Sequence, residues 1–340
     1  MKKTFGLLLL LLLLGGATWY LTKTKQKDAM PVSTSLYAID DINRVYTVGI
    51  IYPNGTKVKL ERKGDKWLFN GKKANKSIIY TLLNTVKKQR ILYATPASLK
   101  ETMLHSLATN KVKVELYDKD RHILQKFYVG APANDGNSTF FIKEDSNEPH
   151  LVGVPGFVGT IGNIYRRPVT DWNDKTVYEF NPDDIESVSI EYPNMKSRSF
   201  ILKRNGNDFQ VQPFYDITPR INKKLKLGAG KTFLGFFKKI GAEFYEPNIQ
   251  LRDSLKQLVP FAILTLTEKN KQQHTSKFYP FLPQGIASIE DLPAKDRDPN
   301  SPLGVNRYFV ITEEDACLLT QHRVIGKVLW QYKDFFDSPK

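Results

Sequence analysis

The two halves of this chain carry similar short motifs in the same order. Asp41–Val45 resembles Asp184–Val188, and each segment continues into a Tyr-Pro-Asn turn. These turns begin at Tyr52 and at Tyr192. Alternating apolar and polar residues follow both turns, which predicts antiparallel strands that bury one face. Internal similarity at a long period indicates a structural unit that occurs twice.

Each half also contains apolar residues at helical spacing. Residues three and four apart lie on one face of a helix, so such a stripe predicts a helix that packs on the neighbouring sheet. The stripe consists of Ile79, Leu82, Leu83 and Val86 in the first half and of Phe233, Phe236, Phe237 and Ile240 in the second.

The predicted fold class is therefore α+β. We expect two duplicated halves, each an antiparallel β meander plus one covering helix, after an N-terminal transmembrane helix. The expected domains are a signal-anchor or transmembrane segment at residues 1–27, a first half at 36–166, and a second half at 178–340 that repeats the first with insertions.

The N-terminal segment has two interpretations. Met1-Lys2-Lys3 precedes an apolar run from Phe5 to Leu21, which includes the leucines of Leu7–Leu14. As a secretory signal, it would be cleaved after Ala17. As an uncleaved anchor, it would reach roughly 25 Å, close to a hydrocarbon core of about 30 Å. We expect a single-pass anchor in the inner (cell) membrane, with the domain on the extracytoplasmic, periplasmic side.

Charge and cysteine content restrict the partners and the compartment chemistry. The formal net charge is +15. An exported domain meets little nucleic acid, so we expect no nucleic-acid partner and consider anionic lipids or envelope polymers instead. The single Cys317 excludes an intramolecular disulfide, and its apolar flanks predict a small buried residue.

One lysine-rich segment resembles the end of a phosphate-binding loop. Gly230-Lys231-Thr232 fits that pattern, but Leu225 stands where the pattern requires a glycine. The alternatives are a flexible turn before a helix and an anion contact. The residues predicted for the anion contact are Lys223, Lys224, Lys226 and Lys231.

Other motifs carry weaker signals. Asp296–Asn300 has the spaced oxygens of a calcium loop but lacks its glycine and its final glutamate. The histidines show no metal-ligand spacing, and we predict no metal, no cofactor and no catalytic residue. Gly153–Gly159 is either a tight crossing of the chain or a partner contact through Phe157.

The order of these motifs resembles the domain-of-unknown-function 4340 family, in particular its Bacteroidetes-type members. The resemblance implies a membrane-anchored envelope protein with no established activity and an association with ABC-transporter components. It rests on the N-terminal leucine run, Asp41-Ile42 to Trp67-Leu68, Tyr128-Val129-Gly130, Gly153-Val154-Pro155-Gly156-Phe157, Asp171-Trp172 and Asp184-Ile185-Glu186-Ser187-Val188.

Three functions are consistent with the sequence. The first is a non-enzymatic accessory or scaffold protein in a bacterial envelope or transport assembly, with envelope proteins as partners. The second is a binding module for anionic envelope polymer or lipid. The third is a hydrolase whose catalytic residues sequence patterns do not reveal.

Overall fold

The computed structural model describes residues 33–93 and 95–337, which divide into two compact units. The first unit comprises the described residues up to Gly71 together with Ser77–Arg167. The second unit comprises Lys72–Lys76 and the described residues from Pro168 onward. Among the described residues the strands are β1 Thr47–Ile51, β2 Lys57–Lys63, β3 Lys66–Phe69, β4 Lys72–Lys73, β5 Arg90–Tyr93, β6 Val112–Tyr117, β7 Ile123–Pro132, β8 Thr139–Lys143, β9 His150–Gly153, β10 Thr176–Tyr178, β11 Ile185–Glu191, β12 Phe200–Asn205, β13 Asp208–Pro213, β14 Ile240–Gly241, β15 Phe244–Tyr245, β16 Ala262–Glu268, β17 Gln273–Pro280, β18 Arg307–Thr312 and β19 Cys317–Gln321.

Helices are few and mostly short. The α-helices are α1 Lys76–Lys88, α2 Ala97–Thr109, α3 Gly162–Tyr165, α4 Ala229–Gly235, α5 Ile249–Lys256 and α6 His322–Ile325. The 3-10 helices are Ile42–Arg44, Val169–Trp172, Pro182–Asp184, Lys196–Arg198, Phe236–Lys238, Ala294–Asp296, Gly326–Val328 and Tyr332–Phe335.

The first unit is built on one antiparallel sheet. Its strands lie in the order β3-β2-β1-β6-β7-β8-β9-β5. Strand β6 shows the expected alternation, because Val112, Val114 and Leu116 are buried while the residues between them are half-buried. Next to it, the rings of Phe127 and Phe141 stack 5.2 Å apart in the core.

Helices approach this sheet on both faces. Phe141 belongs to the aromatic core, whereas its neighbours Phe140 and Ile142 point the other way and pack with Met103 and Leu107 of α2. Gly130 in β7 allows this close approach, because a Cβ there would stand 3.0 Å from Cδ2 of Leu107.

The second unit has its own antiparallel sheet, in the order β13-β12-β11-β16-β17-β18-β19-β15, and a separate ribbon of β10 and β14. Leu264 and Leu266 of β16 join Phe233 of α4 in the larger core cluster. On the opposite face, Leu255 of α5 packs with a second cluster. That cluster contains Tyr279, Phe309, Ile311 and Cys317.

The predicted fold class is wrong. Most of the regular secondary structure of the described residues is β-sheet, and the strands before and after each central helical segment belong to one large sheet, since β1 pairs with β6 and β11 with β16. The single covering helix per half is also wrong, because α2 and α5 occupy second faces.

The predicted helix of the second half is shorter than its apolar stripe. Helix α4 ends at Gly235, and Phe236 and Phe237 lie in a 3-10 turn. Ile240 leaves the helical path because it pairs with Tyr178 in the β10–β14 ribbon.

The predicted N-terminal transmembrane helix falls on residues outside the described ranges. Within residues 33–93 and 95–337, no helix combines the length and the apolar character that crossing a bilayer requires.

Candidate functional site

The second unit contains a cavity of about 280 Å³ beside the end of its sheet. The strands β10, β15 and β17 and the turn after β18 provide its walls. Side chains of both charge signs face it, together with several hydroxyl groups. Its lining residues are Lys72, Lys73, Asn173, Asp174, Thr176, Val177, Tyr178, Glu179, Phe180, Tyr245, Gln272, His274, Thr275, Ser276, Thr312, Glu313, Glu314 and Ala316.

His274 lines this cavity between two carboxylates. Its Nε2 lies 2.9 Å from Oε1 of Glu268, and its Nδ1 lies 2.6 Å from Oε1 of Glu313. Burial lowers the pKa of His274, but the hydrogen bonds and charges of the two carboxylates outweigh burial and raise it. The ring also packs against Phe180, with 4.8 Å between the ring centroids.

The local sequence explains why His274 faces the core side of the sheet. His274 pairs with Leu266 and Ser276 pairs with Leu264 in the β16–β17 hairpin. Partners across a hairpin share a face, and Leu264 and Leu266 belong to the core. His274 therefore ends a core-facing row at the edge that opens into the cavity.

Lys73 forms a second ion-paired group on the cavity wall. Its Nζ lies 2.9 Å from Asp174 and 3.6 Å from Glu179. Burial lowers the pKa of Lys73, and the two carboxylates overcome this effect and raise it. The cavity thus has charges fixed in place by partners, which is an arrangement suited to binding a polar solute.

Tyr178 adds a buried phenol to the cavity. Its hydroxyl makes no hydrogen bond of good geometry with the described residues. Burial raises the pKa of this phenol, and nearby Ser276 lowers it by a smaller amount.

Of the four predicted anion-contact lysines, Lys223 and Lys226 line one pocket together with Lys333, whereas Lys224 and Lys231 are not part of its lining. Lys223, Lys224 and Lys231 are exposed. Lys226 is half-buried, and its Nζ donates to the backbone oxygen of Asp334 at 3.0 Å. The Nζ of Lys223 lies 3.5 Å from the backbone oxygen of Asp337. Two of the four lysines therefore contact the C-terminal segment of the unit.

The glycine of the phosphate-loop-like motif has a packing role. A Cβ at Gly230 would stand 2.3 Å from Cγ of Phe209, so the helix lies directly on that ring. Gly228 precedes the helix with φ of 75° and provides the left-handed turn that starts it.

The side chains of the calcium-loop-like segment form hydrogen bonds with the backbone of the same loop. Arg297 donates to the backbone oxygens of Leu292 and Glu290 at 2.8 and 2.6 Å. Asp298 accepts the backbone N–H of Asn300 at 2.9 Å. The segment is therefore a loop tied by internal hydrogen bonds.

One other group in the described part of the chain could contact a cation. Ligand atoms of Asp118, Asp120 and His122 lie within 4.8 Å of one another in the β6–β7 turn. Asp118 accepts the backbone N–H groups of Asp120 and His122 at 2.9 and 2.8 Å. These bonds account for the cluster as a turn.

The Gly153–Gly159 loop contains one tightly packed glycine and two exposed apolar side chains. Gly153 is a tight crossing, because a Cβ there would stand 2.6 Å from Cδ1 of Leu92. Phe157 and Val158, in contrast, are 52 % and 88 % exposed.

The buried position predicted for Cys317 is confirmed, since its side chain is 1 % exposed. Burial raises the pKa of the Cys317 thiol to about 12, and the charge of Glu246 acts in the same direction. A thiol with this pKa carries almost no thiolate at neutral pH.

Sequence patterns missed the His274 group. Glu313 lies 39 residues from His274, and a long connection separates their strands. The sequence could have indicated Glu268, because a short hairpin brings it close to His274 and the two side chains lie on the same face of the sheet.

Comparison with known families gives one match. A family model described as a domain of unknown function, DUF4340, matches residues 72–227. Over this range the chain is similar to the DUF4340 family. The DUF4340 match includes helices α1 and α2 and the Gly153–Gly159 loop, and it ends before α4 and the lysine at position 231. No curated protein and no solved structure matches the chain.

Proposed function

We propose that this DUF4340-type chain is a membrane-anchored, extracytoplasmic accessory or scaffold protein of a Bacteroidetes-type envelope, without catalytic activity of its own. The apolar run Phe5–Leu21 behind two lysines supports membrane attachment. The family match supports the resemblance from which the envelope role follows. Its partner is an envelope protein, in the setting of an ABC-transporter-related assembly.

The observation that carries this proposal is the exposure of Phe157 and Val158 on a fixed loop. The backbone N–H of Gly159 donates to Oδ1 of Asn137 at 3.1 Å, and that of Phe157 donates to the oxygen of Val154 at 3.0 Å. These bonds hold two adjacent apolar side chains in solvent. A partner that covers such ordered apolar side chains removes their surface from water, and this burial favours binding.

Affinity purification of the full-length protein from detergent-solubilised membranes tests the proposal. The wild type is compared with the double variant Phe157→Ser and Val158→Ser. The control is Ile217→Ser with Leu227→Ser, which replaces two exposed apolar residues of the second unit. We expect a stoichiometric partner with the wild type and the control, and its loss from the loop variant.

Two results would contradict the proposal. Equal recovery of the partner by all three proteins shows that the loop is not the contact. The absence of any stoichiometric partner from the wild type argues against an accessory role.

Membrane attachment has a separate test. We expect the protein to stay in the membrane pellet after carbonate washing, and protease added to spheroplasts should digest it. Soluble periplasmic protein that lacks the residues up to Ala17 would indicate cleavage after Ala17.

A second candidate function is binding to anionic polymer or lipid. The supporting observation is the exposure of Lys223, Lys224 and Lys231 close together in sequence. Replacing all three with Gln should weaken binding to anionic vesicles, and rising salt should weaken wild-type binding. Replacing the exposed Lys57, Lys63 and Lys66 with Gln is the matched control. Equal losses in both triple variants would indicate net charge instead of a specific surface.

A further inference from the structure

We propose that His274 is a pH-dependent clamp: when protonated, it ties Glu268 to Glu313 across strand β17 and holds one wall of the cavity in place. This device lies in the second unit and is independent of the partner contact proposed for the first.

With both carboxylates ionised, this geometry is satisfied by a proton on each ring nitrogen. An ionised carboxylate only accepts hydrogen bonds, and a neutral imidazole has a single N–H. His274 has a carboxylate oxygen at 2.9 Å from Nε2 and another at 2.6 Å from Nδ1. Both contacts are hydrogen bonds only when the ring is an imidazolium, so these distances describe the protonated state.

The three residues connect three neighbouring strands. Glu268 ends β16, His274 is in β17, and Glu313 follows β18. The cavity is lined by His274 and by the turn residues Glu313 and Glu314. Loss of the ring proton would therefore break one of the two side-chain hydrogen bonds that link the turn after β18 to the end of β16, while the backbone pairing of β17 with β18 remains.

Two lysines, Lys72 and Lys73, also line the cavity. Lys73 is engaged with Asp174 and Glu179. Deprotonation would leave Glu268 and Glu313 sharing one neutral ring, with Glu314 on the same wall, and like charges at short range repel. The titratable groups facing this region from all packed elements are Glu268, Glu313, Glu314, Asp174, Glu179, Lys72, Lys73, Tyr178 and Tyr245.

The direction of the pH effect follows from the raised pKa of His274. The unfolded chain has a histidine pKa of about 6.5. The stabilisation is fully present below that value and is lost as pH rises through the higher pKa of the folded state. An extracytoplasmic domain would experience such a change directly.

Thermal unfolding of the full-length protein between about pH 5.5 and 9 tests the clamp, because this range spans the titration of a perturbed histidine. We expect the melting temperature of His274→Gln to lie below that of the wild type at acidic pH and the difference to disappear at alkaline pH. His105→Gln, at an exposed histidine of α2, is the control and should leave the pH profile unchanged. Parallel profiles of the wild type and His274→Gln would overturn the proposal.

Two further measurements separate the clamp from a merely structural histidine. NMR of histidine-labelled protein should show His274 titrating above the ordinary histidine pKa of about 6.5, and Glu313→Gln should lower that midpoint because it removes a charge but keeps an acceptor. An unchanged midpoint in Glu313→Gln would overturn the proposal even if His274→Gln fails to fold. At acidic pH, hydrogen exchange at residues 269–276 and 313–316 should be faster in Glu313→Gln than in the wild type, and equal exchange would show that the clamp does not hold the wall.

Discussion

The ring of Phe209 occupies the space where Gly230 has no side chain. A Cβ at Gly230 would stand 2.3 Å from Cγ and 2.5 Å from Cδ2 of Phe209. The guanidinium of Arg204 covers the same ring, 5.1 Å from its centroid. Phe209 is thus held between a helix backbone and a cation, and the glycine of the phosphate-loop-like motif is required by this packing.

Gly230→Ala should therefore destabilise the second unit. The new methyl group needs space that Phe209 occupies, and overpacking of this kind costs about 1–3 kcal/mol. Gly235→Ala is the matched control in the same helix, because a Cβ there meets nothing within 4 Å. An alanine in a helix is favoured over glycine by up to about 1 kcal/mol, so the control should be neutral or stabilising.

Chemical denaturation of both variants provides the comparison. If Gly230→Ala has the stability of the wild type while anion binding falls, the glycine has a ligand role and the packing argument is wrong.

Buried and exposed positions of one helix give the second prediction. Leu82 of α1 is 0 % exposed, whereas Tyr80 of the same helix is 68 % exposed. Leu82→Ala should lower the free energy of unfolding by about 2–5 kcal/mol, because the truncation leaves a cavity. Tyr80→Ala should change it by less than about 0.5 kcal/mol. Similar values for the two variants would mean that the stripe is not core.

The second unit allows the same comparison between adjacent phenylalanines. Phe237 is 0 % exposed, and Phe236 is only partly buried against Trp330. Truncation of Phe237 to Ala should cost more than truncation of Phe236, within the range of about 3–5 kcal/mol for a buried phenylalanine. A larger loss at Phe236 would place the core on the other side of this 3-10 turn.

These positions show what a sequence can predict about this fold. The stripe of α1 has strong helical spacing, and its four residues are buried as expected. Helix α2 was not predicted, although Leu99, Met103 and Leu107 lie four residues apart and the last two are buried. The stripe around Phe233 predicted too long a helix. Ile240 fits the helical spacing but pairs in a strand instead.

The candidate site could not be predicted from the sequence for a different reason. Charge pairs such as His274 with Glu313 depend on which strands become neighbours, and local spacing carries no information about a pair 39 residues apart. A charged group of the first sheet shows the same limit. Lys113 lies 2.9 Å from Glu115 on its own strand, but also 2.6 Å from Glu144, which follows β8, and the two carboxylates raise the pKa of this lysine.

A buried amide in the first unit gives the next prediction. Gln89 is 0 % exposed; its Nε2 donates to the backbone oxygen of Tyr37 at 2.6 Å, and its Oε1 accepts the hydroxyl of Tyr165 at 2.7 Å. Gln89→Leu should cost about 1–3 kcal/mol for each polar group left buried without a partner. Tyr165→Phe should cost less, because it orphans a single acceptor.

The double variant tests whether these groups act as a unit. Gln89→Leu combined with Tyr165→Phe removes both partners of one hydrogen bond, so its loss should be smaller than the sum of the single losses. Strict additivity in denaturant unfolding would show that Gln89 and Tyr165 do not interact in solution.

The thiol of Cys317 provides a probe of opening on the second face of the second sheet. It is 1 % exposed among Tyr279, Phe309 and Leu255, and burial raises its pKa to about 12. Disulfide exchange requires a thiolate and access, so the native protein should react with a thiol reagent only when this face opens. We expect labelling at neutral pH to be slower by orders of magnitude than in denaturant.

The control combines Cys317→Ala with Ser77→Cys at an exposed helix position, which should react rapidly in the native state. If native Cys317 reacts as fast as this control, helix α5 does not cover the cluster in solution, and the second face of the sheet is open.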